Sequence, residues 1–318
     1  MRYIFRADAS QITGSGHVMR SSAIAEELIV RGEDVIFLGQ IAGLPWVEER
    51  IATLGFSAIY RNSSAFISNP KSDVLILDSY EISVNNAFID PKKWSHIIAI
   101  VDELTPNYQC CLRIHPGLYS NWGQDSSVPI LAGPMYIPIR TSLSRNTRQI
   151  NKKQNELEIV VVAGGSDPYE LVHEIAKILA SFPEEFNAYL FSNSALNMPL
   201  DNRFQYIRIG EQLESFAGKS DLVLTTSSTS SLEFIASGLC VGVACGVNNQ
   251  LQNYESLGEF GLAAQIGSRI SSVGWVLDRE LIHKLIISKE LRSTIKERAA
   301  GFIDFKGASR IVDAIVRL

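Results

Sequence analysis

The chain has 318 residues, 46% hydrophobic and 20% charged, and its 29 lysines and arginines against 34 aspartates and glutamates give a net charge of −5. That length allows two domains and that composition allows packed cores, which excludes a disordered or fibrous chain. The acidic balance leaves no basic footprint for nucleic acid or for an anionic membrane surface.

In chain order, short β-branched runs alternate with helical periodicity. Residues 3–5, 35–38, 74–77 and 97–101 read as strands. Residues 18–31 read as a helix, with Met19, Ala23, Ala25, Leu28 and Ile29 as its apolar positions and Gly32 as its stop. A polar, basic stretch follows at 140–156, and within it residues 144–156 are assigned as a linker between domains at 1–143 and 157–318. The alternation restarts with strands at 159–162, 188–191, 206–207, 222–224 and 241–244, and with helices at 169–181, 231–237 and 250–259. Residues 270–318 read as mostly helical, and the last, apolar-striped helix at 310–318 is expected to pack back on the first domain. The pattern predicts an α/β fold of two Rossmann-like domains in tandem, with an interdomain cleft and binding positions at the carboxyl ends of the strands.

The chemistry-bearing residues cluster where these strands end. Arg6-Ala7-Asp8 closes the first strand and Gly14-Ser15-Gly16-His17 enters the first helix. The glycines allow a tight turn and the helix start offers N–H groups to an anion. The positive helix end disfavours an imidazolium, so His17 suits a general base, although a histidine here also packs under such a loop without function. Asp78, followed by Ser79-Tyr80, and Asp102-Glu103 close two further strands, where carboxylates either face the crevice or cap the next turn. In the second half Gly164-Gly165-Ser166-Asp167-Pro168 joins a strand to a helix. Ser166 or Asp167 is the expected N-cap and Pro168 the first helical residue, and the helix dipole would favour a diphosphate. Ser228 and Thr229 lie in a hydroxyl-rich loop that either caps the following helix or holds phosphate oxygens. Glu233, a turn further on, suits two vicinal ribose hydroxyls or a capping box. Asn249 and Gln250 offer neutral donors and acceptors to sugar hydroxyls and acetamido groups.

Other matches fail. Gly218-Lys219-Ser220 resembles the end of a phosphate-binding loop, but its required first glycine is Leu213. Four cysteines without a Cys-x-x-Cys pair, and five histidines without a His-Glu-x-x-His pair, point to no metal site and no disulfide framework. No cofactor is expected. The start lacks a secretory h-region and no stretch is apolar enough to span a membrane, so a cytoplasmic protein is expected.

Taken in order, these motifs resemble the UDP-sugar hydrolases of pseudaminic acid biosynthesis, in the two-domain GT-B group. The resemblance is carried by Arg6-Ala7-Asp8 with Gly14-Ser15-Gly16-His17-Val18-Met19-Arg20, then by Asp78-Ser79-Tyr80, Gly164-Gly165-Ser166-Asp167, Ser231-Leu232-Glu233, Asn249-Gln250 and Lys306-Gly307-Ala308-x-Arg310. It implies hydrolysis of a UDP-linked 2,4-diacetamido-2,4,6-trideoxyhexose to UDP and free sugar without a metal. It further implies catalytic roles for His17, Tyr80 and Asn249, with Asp8, Gly14, Gly16, Asp78, Gly164, Gly165, Ser166, Ser228, Thr229, Glu233 and Gln250 around the substrate. The chain departs from the family at Ser21, where a cysteine is common, and at Ser227-Ser228-Thr229, where glycines are usual. An inverting glycosyltransferase on the same framework is the alternative, for which Leu44-Pro45-Trp46-Val47 would contribute an acceptor or membrane-docking patch. A sugar-nucleotide-binding protein without turnover is the third reading.

Overall fold

Two seven-stranded sheets carry the chain, and both run in the same strand order. The computed structural model describes residues 1–62, 65–79, 82, 86–102, 108–119, 127–142, 156–193, 201–210 and 213–318. The chain divides into two units, Met1–Arg140 with Asp304–Leu318, and Thr141–Ile303.

The first unit contains β1 (Arg2–Ala7), β2 (Ala9–Ser10), α1 (Gly16–Val30), β3 (Asp34–Leu38), β4 (Ile41–Ala42), α2 (Pro45–Thr53), β5 (Ala58–Tyr60), β6 (Asp73–Asp78), β7 (His96–Ile100), β8 (Leu112–Ile114) and β9 (Ile130–Leu131). Its sheet order is β5-β3-β1-β6-β7-β8-β9, and every pairing is parallel. Chain order therefore reverses between β1 and β6, where this architecture opens a crevice at the carboxyl ends of the strands. All six residues of β6 are buried, as expected for a central parallel strand covered on both faces. Arg2 and Asp73 are register partners at the start of β1 and β6, and the guanidinium holds the carboxylate at 2.9 and 2.5 Å.

The second unit contains β10 (Leu157–Val162), α3 (Leu171–Ala180), β11 (Phe186–Phe191), β12 (Phe204–Ile207), α4 (Leu213–Ala217), β13 (Leu222–Thr226), α5 (Thr229–Ala236), β14 (Cys240–Cys245), α6 (Leu251–Glu259), β15 (Ala264–Ile270), β16 (Gly274–Leu277), α7 (Arg279–Ile287) and α8 (Lys289–Ala299). The order β12-β11-β10-β13-β14-β15-β16 places the reversal between β10 and β13, and only β15 and β16 among these described pairs run antiparallel.

The last helix, α9 (Gly307–Ile315), belongs with the first unit, although the chain-order division assigns residues 157–318 to the second. Its Ile311, Val312 and Ile315 fill the same core as Leu28 and Ile24 of α1, and Arg31 bonds Asp313 and Ser309 across the contact. The last helix thus packs on the first unit, as its apolar stripe was expected to do.

Residues 270–318 are mostly helical as expected, in α7, α8 and α9, but Gly274–Leu277 adds the antiparallel edge strand β16. The weakly patterned β5, β8, β9 and β15 also escaped the sequence reading. Their alternation is short, and in β15 it is broken by Gln265, Ser268 and Arg269. Leu44 and Val47 are buried at 1% and 0% exposure and pack in the first core with Trp46, so this run is core rather than a docking patch. The proposed linker at 144–156 lies outside the described residues except for Glu156.

Candidate functional site

In the first unit the predicted residues converge at the β1–β6 reversal. The loop after β1 closes on itself, with Gly14 N–H donating to the Ser10 carbonyl at 2.8 Å while Gly14 sits at φ +76°. That left-handed turn sends the chain into α1 at Gly16 and makes His17 the second helical residue. Ser15 at the helix start makes no side-chain capping bond. His17 is 8% exposed and Asp78, the last residue of β6, is fully buried.

His17 Nδ1 lies 2.5 Å from Asp78 Oδ1. Arg20, one turn along the same face of α1, donates Nε to Asp78 Oδ2 at 2.7 Å and Nη2 to Oδ1 at 2.6 Å. Its other edge reaches Asp102, with Nη1 at 2.6 Å from Oδ1 and Nη2 at 3.1 Å from Oδ2. Ser21 Oγ adds a donor to Asp78 Oδ2 at 3.1 Å. Burial works against the charge on Asp78, but Arg20 and then His17 overcome it and hold the carboxyl far below the usual aspartate range. Burial likewise opposes the charge on Arg20, and Asp102 and Asp78 outweigh it. An ionised Asp78 accepts hydrogen bonds and cannot donate, so the proton of a neutral His17 sits on Nδ1 and the basic lone pair on Nε2. This is the orienting arrangement of a histidine general base.

Asp8, just past β1, stands beside this cluster but is engaged by the chain itself. Arg6 donates to its Oδ1, Gln40 N–H does so at 2.7 Å, and Ser79 Oγ lies 3.5 Å from Oδ2. Tyr80 lies outside the described residues.

In the second unit the loops after β10, β13 and β14 meet. Thr226 Oγ1, at the end of β13, lies 3.5 Å from the Ala163 carbonyl and 3.1 Å from Ser228 Oγ. Gly164 has φ +95°, a conformation that favours glycine, and a side chain there would sit 3.7 Å from the Ser228 hydroxyl. Ser227 Oγ donates to the Gln250 carbonyl at 3.2 Å, Asn253 Nδ2 donates to the Ser227 carbonyl at 2.8 Å, and Gly246 N–H donates to Gln250 Oε1 at 3.0 Å. Gly164, Ser228, Thr229 and Gln250 are thereby brought to one end of the sheet, with Gly165 and Ser166 on the same loop as Gly164 and Asn249 beside Gln250. Glu233 lies in the second turn of α5 and is only 2% exposed.

The helix starts that follow β10 and β13 differ. The helix after Gly164-Gly165-Ser166 begins at Leu171 rather than near 169, and neither Ser166 nor Pro168 takes the expected capping positions. Instead Asp167 accepts from the N–H groups of Leu171 and Val172 at 2.8 and 2.9 Å, with Glu170 at φ +57° making the turn between them. The positive end of α3 is therefore already engaged by a carboxylate, and an anion at this loop would meet loop amides. At α5, Ser228 holds the extended N-cap backbone without a side-chain capping bond. Of the two helix ends, α5 is the better placed for phosphate.

Sequence reasoning named Asp102 without a function and left Arg20 unassigned. The i, i+3 spacing of His17 and Arg20 was the available signal; that Asp78 and Asp102 lie at its two edges depends on the order of β6 and β7. Among the described residues, no group of three or more His, Cys, Asp or Glu side chains is placed to hold a metal, and no helix is long and apolar enough to cross a membrane.

No family model matches the chain. It is 22% identical over 251 residues to the UDP-2,4-diacetamido-2,4,6-trideoxy-beta-L-altropyranose hydrolase of Campylobacter jejuni, covering 75% of this chain and 86% of the relative. Among solved structures it resembles the glycotransferase of kitacinnamycin, with a TM-score of 0.66, 14% identity and coverage of 99% and 98% of the two chains. It also resembles HepE of Anabaena, solved in complex with UDP-glucose, with a TM-score of 0.61, 13% identity and full coverage of both chains. The shared fold is GT-B-like, built of two Rossmann-like domains in tandem.

Proposed function

We propose that the chain is a cytoplasmic, metal-independent hydrolase of a UDP-linked 2,4-diacetamido-2,4,6-trideoxyhexose, acting in nonulosonic (pseudaminic) acid biosynthesis. The observation that carries this reading is the His17–Asp78 pair at the β1–β6 reversal, with Nε2 as the basic nitrogen. The likeness to the Campylobacter jejuni hydrolase supports the substrate.

On this reading His17 Nε2 takes a proton from water as its oxygen bonds to the anomeric carbon and the bond to UDP breaks. Asp78 stabilises the imidazolium that forms, and the proton then passes to solvent. The second unit holds UDP through the Gly164–Ser166 loop, the Ser228-Thr229 start of α5 and Glu233 on the ribose. Charge on the departing diphosphate is met by backbone donors and the dipole of α5. Asn249 and Gln250 take the acetamido groups, and Tyr80 joins the catalytic group.

The fold shared with a glycotransferase favours one second reading, in which an acceptor hydroxyl replaces water. Turnover in ¹⁸O-labelled water separates the two. Hydrolysis at the anomeric carbon puts label in the sugar and none in UDP. UDP release that requires an added acceptor overturns hydrolysis.

A further inference from the structure

Asp102 does not make the bond that orients His17, yet one guanidinium ties it to that bond. Arg20 uses Nε and Nη2 on Asp78, and Nη1 and Nη2 on Asp102. Arg20 Nη2 also lies 3.1 Å from His17 Nδ1.

A lone Arg20–Asp78 pair would be neutral and would set a cation against the ring that has to accept a proton. The second carboxylate changes this: Asp102 sets a further negative charge on the same guanidinium and offsets the cation that Arg20 brings to the ring. The planar fork also fixes geometry. A guanidinium bound along two edges cannot rotate, so Asp78 Oδ1 is held toward His17 Nδ1. Among the described residues, the charged groups that meet this ring or its partners include Arg20 on α1, Asp78 at the end of β6 and Asp102 after β7, with Asp8 after β1 linked to Ser79 beside Asp78. Tyr108, whose phenol is pushed up by burial and by Asp78, is a further neighbour of that carboxylate.

We infer that Asp102 is a positioning residue that sets the proton affinity of His17 through Arg20. The inference rests on His17 being the general base proposed above. Removing the Asp102 charge takes a stabilising anion away from the imidazolium, so the sign is fixed: His17 must become a weaker base.

The test uses the full chain with ¹⁵N-labelled histidine, following the His17 ring nitrogens against pH by NMR, alongside UDP release from the UDP-sugar. Asp102→Asn should lower the His17 midpoint by ~0.5–1 pH unit, less than a directly contacting charge would give. The acid limb of kcat/KM should move down in pH with it. Its plateau should fall ~3–10-fold as the base weakens, with KM little changed. Asp102→Glu should restore both, whereas Arg20→Lys, which lacks the two-edged fork, should not. Asp102→Ser provides a second charge-removing variant if Asp102→Asn does not fold. A His17 midpoint that stays at the wild-type value or rises in either folded variant overturns the inference. If the wild type releases no UDP, or His17→Ala releases it normally, the proposed reaction fails, while the NMR midpoint still decides the part played by Asp102.

Discussion

Nδ1 of His17 and Oδ1 of Asp78 are 2.5 Å apart, although 61 positions separate the two residues along the chain. The bond joins the first turn of α1 to the last residue of β6, so the ring is oriented by two elements of one rigid sheet-and-helix layer. General-base assistance is worth about 10²–10⁴-fold, and His17→Ala should reduce UDP release by that factor. Asp78→Asn should reduce it comparably, because an amide can donate to Nδ1 and favour the wrong tautomer. It should also destabilise the fold by about 3 kcal/mol, the low end for breaking a buried pair, since Asp102 still holds Arg20. UDP release and urea unfolding of both variants provide the check.

Acid stability follows from the buried aspartates of the first unit. Burial opposes the charge on Asp73, but its bonds from Arg2 and the Asn69 N–H hold its carboxyl below the ordinary value. Asp78 is depressed further, against burial, by Arg20 and His17. A depressed native value means that the stabilisation is complete above the unfolded value, about 4, and is lost as pH falls through the native one. The stability gap between wild type and Asp73→Asn should therefore shrink as pH is lowered below about 4. An equal gap in urea midpoints at pH 7 and pH 3 would count against this.

The start of α3 depends on Asp167 rather than on Ser166 or Pro168. Asp167→Ala removes the acceptor of two helix N–H groups and should cost about 1 kcal/mol in denaturant unfolding. Ser228→Ala, at a helix start that its side chain does not cap, should cost less than half as much.

Gly307 begins the C-terminal helix with no room for a side chain. A Cβ there would fall 2.0 Å from the Ile137 carbonyl oxygen, so Gly307→Ala must displace either the helix or the strand of chain against it. A loss of ~1–3 kcal/mol is expected, as for other overpacked sites, with a lowered melting temperature as the readout.

Burial pushes the Cys240 thiol up to about 12 and the Cys110 thiol up to about 11. At pH 8 the native protein should hold very little thiolate at either position and react slowly with a thiol reagent, while the urea-unfolded chain reacts fast. Rapid native labelling at Cys240, which has no exposed surface, would refute the packing of β14.

The central strands were legible in sequence for a physical reason. Residues 74–77 and 159–162 are continuous apolar runs because both faces of a central parallel strand are covered, and the structure extends each by only one or two residues at an end. Edge elements were not. The strand at Gly274–Leu277 shows no clear alternation, and the start of α2 hides the buried Leu44 before it and Val47 within it in a run that looks like a surface patch.

The sequence by itself determined the two α/β halves and placed His17, Asp78 and the Gly164 loop where strands end and helices begin. Backbone chemistry there is local: glycine permits left-handed turns, and apolar periodicity declares a strand or a helix. Which groups face one another is not local. That His17 and Arg20 share Asp78, and that Arg20 also reaches Asp102, were both decided by tertiary structure. Strand order alone brings β6 and β7 beside α1, and burial alone makes a shared charge strong enough to hold a ring in place.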